Sequence, residues 1–181
     1  MSNKSPSTLP EQPLRLFGSA RALTLSALFI ALSIVLGKYL AFTMGPFRVS
    51  FENLTVLLAG ILFGPLTGLV VGAAADLIGC LLVGYTINPI ITLGAASVGL
   101  CCGLGWQLFR RLRPALRLGL SVLLGHVVGS MLIKSIGLHV YFGFDLSVLW
   151  LRIPLYLMTG AVEGYLLYLL LHRLFSQRSA A

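Results

Sequence analysis

The chain has 181 residues, 57% of them hydrophobic and only 10% charged, with a formal net charge of +8. A soluble domain carries about 25% charged residues, so this balance excludes one and defines an integral membrane protein; the mean hydropathy of +0.96 agrees. The positive charge does not mark a nucleic-acid binder, because the basic residues cluster at the ends of apolar runs, where membrane topology is set.

In chain order, residues 1–18 are polar and rich in Ser and Pro and read as a tail without the pattern of a cleavable signal. Six membrane segments follow, at about 20–40, 53–64, 66–83, 91–109, 116–138 and 150–172. They form one membrane domain over residues 19–175, with 176–181 as a second tail. The Gly- and Ala-rich runs of about 20 residues predict helices, not barrel strands. The second run is short. Leu54 to Phe63 is ten residues before Gly64-Pro65, roughly 15 Å of helix and about half a hydrocarbon core. The stretch before it, Gly45-Pro46-Phe47-Arg48-Val49-Ser50-Phe51-Glu52, is therefore expected to dip into the membrane as the lid of a pocket, since irregular backbone is tolerated there only in protein or along a cavity. In the third run Gly68, Gly72, Ala73, Ala74, Ala75 and Gly79 allow close helix approach.

With six spans, Lys4, Arg15, Arg21, Arg110, Arg111, Arg113, Arg117, Arg173 and Arg178 all fall on one side, which the positive-inside rule makes cytoplasmic, with both termini. The four remaining cations, Lys38, Arg48, Lys134 and Arg152, fall in the outer half. Together they predict an outward-facing cavity for an anionic solute; taken singly, each also reads as a snorkelling or helix-capping residue. Arg48 lies between Phe47 and Phe51, where a planar ring could stack while the guanidinium takes a carboxylate. Lys134 can approach with His139 beyond it, and Asn88, opening the fourth run before Pro89, reads either as a ligand contact or as an N-cap. Asp76 and Glu163 lie inside helices and read as proton or cation sites, or as structural partners of neighbouring helices; for Glu163 these would be Tyr165 or His126.

No catalytic or metal site is expected. His126, His139 and His172 have no metal-ligand spacing, Cys80, Cys101 and Cys102 read as small packing residues, and no phosphate-binding loop for ATP is present. No cofactor is expected, and a small transporter of this kind needs partners to supply energy.

Phe51-Glu-Asn-Leu54, then Leu58-Ala-Gly-Ile-Leu-Phe-Gly-Pro65 with Gly68, Gly72 and Asp76, resembles the substrate-binding S component of energy-coupling factor (ECF) vitamin transporters. Ile87-Asn-Pro-Ile-Ile-Thr-Leu-Gly94, Lys134-Ser-Ile-Gly-Leu138 and Arg152-Ile-Pro-Leu-Tyr156 fit its folate-specific branch. Thr55 departs from that branch, where many relatives have Pro. The likeness covers most of residues 20–172. It implies an all-α bundle of six transmembrane helices in the bacterial plasma membrane. It also implies a loop-covered outer cavity, a transmembrane coupling protein and two ATPases as partners, and delivery by toppling of the whole subunit. Ala27-Leu-Phe-Ile-Ala31 matches the family's docking motif. Folate would place its glutamate tail near Arg48, Lys134 or Arg152, and its pterin among Phe47, Phe51, Tyr85 and Tyr141. The competing readings are an S component for another anionic vitamin such as pantothenate, a small membrane enzyme acting on a lipid, and a scaffold-like membrane subunit.

Overall fold

The computed structural model describes residues 20–44 and 47–178, apart from the side chains of 43–44, 47–48, 146–149 and 174–178. The expected tails at 1–18 and from 179 onward lie outside the described residues, whereas 176–178 continue the last helix. The helices are α1 (Ala20–Tyr39), α2 (Glu52–Phe63), α3 (Pro65–Val83), α4 (Pro89–Leu108), α5 (Pro114–Phe142) and α6 (Leu146–Arg178). Five of these are long and apolar enough to cross a membrane: α1, α3, α4, α5 and the Trp150–Arg173 part of α6. The sixth, α2, is a shorter apolar helix.

The punctuation is local chemistry. Pro65, Pro89 and Pro114 stand in the first turns of α3, α4 and α5, where a missing N–H costs nothing and φ is already helical. Gly84 and Gly143 end α3 and α5 in the left-handed region, at φ 75° and 64°, the usual helix stop.

The chain is not purely helical. β1 (Phe42–Met44) pairs antiparallel with β2 (Phe47–Val49), Phe42 facing Val49. The expected lid is thus a ribbon, whose strands pair the backbone groups that a loop would leave open.

Helix α2 is the centre of the bundle. Nine of its residues are buried, from Asn53 to Phe63, and Leu57, Val71, Val98, Cys102 and Leu167 meet around it. Glycine lets α3 and α4 touch: a Cβ at Gly99 would land on the backbone of Gly68, and one at Gly68 would lie 2.6 Å from the Gly99 carbonyl oxygen. Two helices widen into π-turns, over Val35–Tyr39 in α1 and His126–Ile133 in α5. Such turns add a residue to the helical repeat and rotate whatever follows.

Candidate functional site

A cavity of about 470 Å³ opens where the ribbon joins α2, between the ends of α1, α3, α5 and α6 and the start of α4. Its chemistry rests on five charged side chains: Lys38, Glu52, Asp76, Lys134 and Arg152.

The π-turn of α1 carries Lys38 to this cavity. Its ammonium lies 3.8 Å from Asp76 Oδ1, 3.7 Å from Cys80 Sγ and 5.6 Å from the centre of the Tyr85 ring. Asp76 Oδ2 accepts a second bond, from the Thr92 hydroxyl at 2.7 Å. Gly79 makes this possible, because a Cβ there would stand 2.8 Å from Lys38 Cε. On the facing side Lys134 Nζ donates to Glu52 Oε1 at 2.9 Å. Glu52 sits in the first turn of α2, where the helix dipole favours a carboxylate, and Gly94 leaves room for the Lys134 stem.

Arg152 is different. Its Nη2 donates to the Tyr156 hydroxyl at 2.6 Å, its guanidinium lies 5.0 Å from the Tyr156 ring centre, and its Nη1 is buried without a partner among the described residues. Two lysines face two carboxylates and the arginine is left over. The cavity therefore carries a net positive charge concentrated on one guanidinium, which lies beside Tyr156, while Tyr85 lines the same cavity next to Lys38. That arrangement suits a ligand with a flat ring and a carboxylate.

Of the residues expected from sequence, the fold brings Tyr85, Asn88, Lys134 and Arg152 to this wall. Asn88 also caps α4: its side-chain oxygen accepts from the N–H of Ile90 and Ile91, and its amide donates to the Gly137 carbonyl at 3.3 Å. Phe51, half-buried, precedes α2 and does not line the cavity, although its neighbours Ser50 and Glu52 do. His139 and Tyr141 are exposed and lie outside the wall; His139 Nδ1 pairs with the Phe144 carbonyl at 2.8 Å at the end of α5. The side chains of Phe47 and Arg48 lie outside the described residues. Ala27 and Ala31 are both exposed on α1. Sequence reasoning counted Lys38 among the cations of the outer cavity and read Asp76 as an ion site or a structural partner, and it placed no ligand on Glu52 or Tyr156. Lys38 and Asp76 had signalled themselves as an outer cation and an intramembrane acid, whereas nothing in the spacing singled out Tyr156.

A third ionisable pair lies apart from this cavity. His126 Nε2 and Glu163 Oε2 are 2.8 Å apart, with 1% and 0% of their side chains exposed, and bind α5 to α6. Among the described residues no cluster of His, Cys, Asp or Glu could hold a metal ion.

Apolar helices around a cavity with a charged wall define a membrane-embedded binding protein. Residues 21–175 match the ECF transporter, substrate-specific component family, and the chain belongs to that family. Proteins of this family are substrate-binding subunits that work with an ECF energizing module, so this chain is not an enzyme and ATP hydrolysis falls to its partners. Similar folds include a structure of FolT bound with folic acid (TM-score 0.72, 24% identity, 86% of this chain and 95% of that one). They also include the S component of a bacterial ECF transporter (TM-score 0.67, 19% identity, 86% and 96%). A third is the S component for biotin from an ECF-type ABC transporter (TM-score 0.67, 18% identity, 86% and 91%). Among curated proteins none matches this chain.

Proposed function

We propose that the chain is the folate-capturing subunit of an ATP-driven importer in a bacterial plasma membrane. One observation carries this reading: the cavity is lined by a guanidinium whose Nη1 lacks a partner among the described residues, beside the Tyr156 ring, with Tyr85 elsewhere on the same wall. Folate supplies both complements, a flat pterin and a glutamate tail with carboxylates. A volume of about 470 Å³ falls within the ~300–1,000 Å³ typical of small-molecule sites. The likeness to a folate-bound structure supports the same choice. The tail carboxylate lies on Arg152, with Lys134 held by Glu52, and the pterin lies against Tyr85 and Tyr156.

In this reading the chain crosses the membrane six times, α2 and the ribbon making the second crossing, and both termini are cytoplasmic. The cavity faces outward beneath the lid that carries Phe47 and Arg48. Ala27 and Ala31 form the close-packing face for a transmembrane coupling protein, which with two ATPases drives release. Replacing both with Leu would leave ligand binding intact and abolish co-purification with the coupling protein.

Calorimetric titration of the purified subunit in mild detergent, without partners or ATP, tests the substrate. Folic acid should bind with unit stoichiometry. Binding of pantothenate or biotin and not of folate would reassign the vitamin.

A further inference from the structure

A second concavity, about 380 Å³, runs along the outside of the bundle between α5 and α6. Ala115, Gly119 and His126 line it from α5, and Tyr168, Gly164 and Tyr156 from α6. The two helices are antiparallel, so Ala115 and Tyr168 mark one end and His126 and Tyr156 the other. From Ala115 to His126 the groove is roughly 16 Å long, about half a hydrocarbon core of ~30 Å. Its length matches one leaflet.

Glycine in a helix costs about 1 kcal/mol relative to Ala, and in this fold most helical glycines are explained by a neighbour that a Cβ would strike. Gly160 is one of these, since its Cβ would meet His126 Cδ2 at 3.0 Å. Gly119 and Gly164 are not: a Cβ at Gly119 meets nothing within 4 Å, and one at Gly164 meets only Val122 Cγ1 at 3.8 Å. The space they leave is not filled by any described residue.

The end of the groove at Ala115 and Tyr168 is strongly basic. Arg113 precedes α5, Arg110 and Arg111 precede it in the same turn, and Arg173 lies just beyond Tyr168 on α6; all four are exposed. The acids among the described residues are Glu52, Asp76, Asp145 and Glu163. The first two serve the substrate cavity, Asp145 follows the far end of α5, and Glu163 is buried against His126. None of these neutralises the four arginines, which stand without a carboxylate partner among the described residues.

We propose that the groove holds one acyl chain of an anionic phospholipid, with the headgroup phosphate on Arg113 and Arg173. The apolar, glycine-lined wall accepts the chain, the one-leaflet length matches it, and the unneutralised arginines at the mouth select an anionic head over a zwitterionic one. The site shares Tyr156 with the substrate cavity but is otherwise separate from it, and it does not depend on which vitamin is bound.

The test uses the full-length protein in nanodiscs of phosphatidylglycerol or phosphatidylcholine, with thermal unfolding and native mass spectrometry as readouts. The expected result is a melting temperature several degrees higher in phosphatidylglycerol and one phospholipid retained per subunit. Gly119→Leu fills open space, so it should fold, lose the retained lipid and lose the phosphatidylglycerol advantage. If it fails to fold, Gly164→Leu serves the same purpose. Arg113→Gln with Arg173→Gln should lose only the headgroup preference. Equal stability in the two lipids overturns the proposal. So does a lipid preference that survives Gly119→Leu, which would mark a surface headgroup contact only, or a dimer that Gly119→Leu converts to monomer, which would mark a helix as the occupant.

Discussion

Lys134 Nζ donates to Glu52 Oε1 at 2.9 Å across 82 residues of sequence, tying the middle of α5 to the first turn of α2. The pair closes one wall of the substrate cavity, and Lys134 is held there by protein. Lys134→Ala takes the ammonium away from the half-buried Glu52 carboxylate and should cost about 2 kcal/mol, read as a lower melting temperature in detergent. Removing both side chains should cost less than the sum of the single changes.

Arg152 has the opposite standing. Its removal strands no carboxylate among the described residues, so Arg152→Ala should fold normally and weaken folate binding by about 2 kcal/mol, the loss of a charge-assisted contact. Arg152→Lys should recover only part of this, because an ammonium cannot donate as a two-pronged planar fork. Titration calorimetry on both variants, beside their melting temperatures, separates binding from folding.

The buried His126–Glu163 contact predicts a third outcome. His126→Ala leaves a carboxylate with no exposed surface and no hydrogen-bond partner, a change that typically costs about 3–5 kcal/mol. Glu163→Gln keeps the hydrogen bond and should be far milder. Thermal unfolding of the two variants side by side checks the difference.

Helix contact without side chains gives the fourth. Gly99→Ala would drive a methyl group into the backbone of Gly68, and neither helix can give way while both pack on α2. A loss at the upper end of the ~1–3 kcal/mol range for overpacking is expected, measured by thermal unfolding. Gly119→Ala, where nothing stands within 4 Å, is the control and should be neutral or slightly stabilising.

The helices were legible because apolar runs bounded by Pro and Gly state their own ends. The expected 66–83 and 91–109 became Pro65–Val83 and Pro89–Leu108, shifted only by prolines that start helices instead of ending loops. The short second run was legible for the same reason. The ribbon was not, because three-residue strands carry too little pattern to separate from loop. Within the cavity, sequence identified Lys134 and Arg152 as unusual outer cations but could not divide them into a paired and an unpaired one, since the partners lie 82 and 4 residues away. The expected fifth segment ended at 138, which put His139 and Tyr141 in a loop, whereas α5 runs on past its π-turn to Phe142 and leaves both exposed. Lys38 enters the cavity through the same kind of turn in α1.

The most direct measurement is a structure of the subunit determined with folic acid. The pterin should lie between Tyr85 and Tyr156, with a tail carboxylate within hydrogen-bonding distance of Arg152 Nη1 and the Lys134–Glu52 and Lys38–Asp76 pairs intact. Folic acid absent from the cavity, or bound with its carboxylates on Lys134 and Glu52 displaced, would contradict this placement.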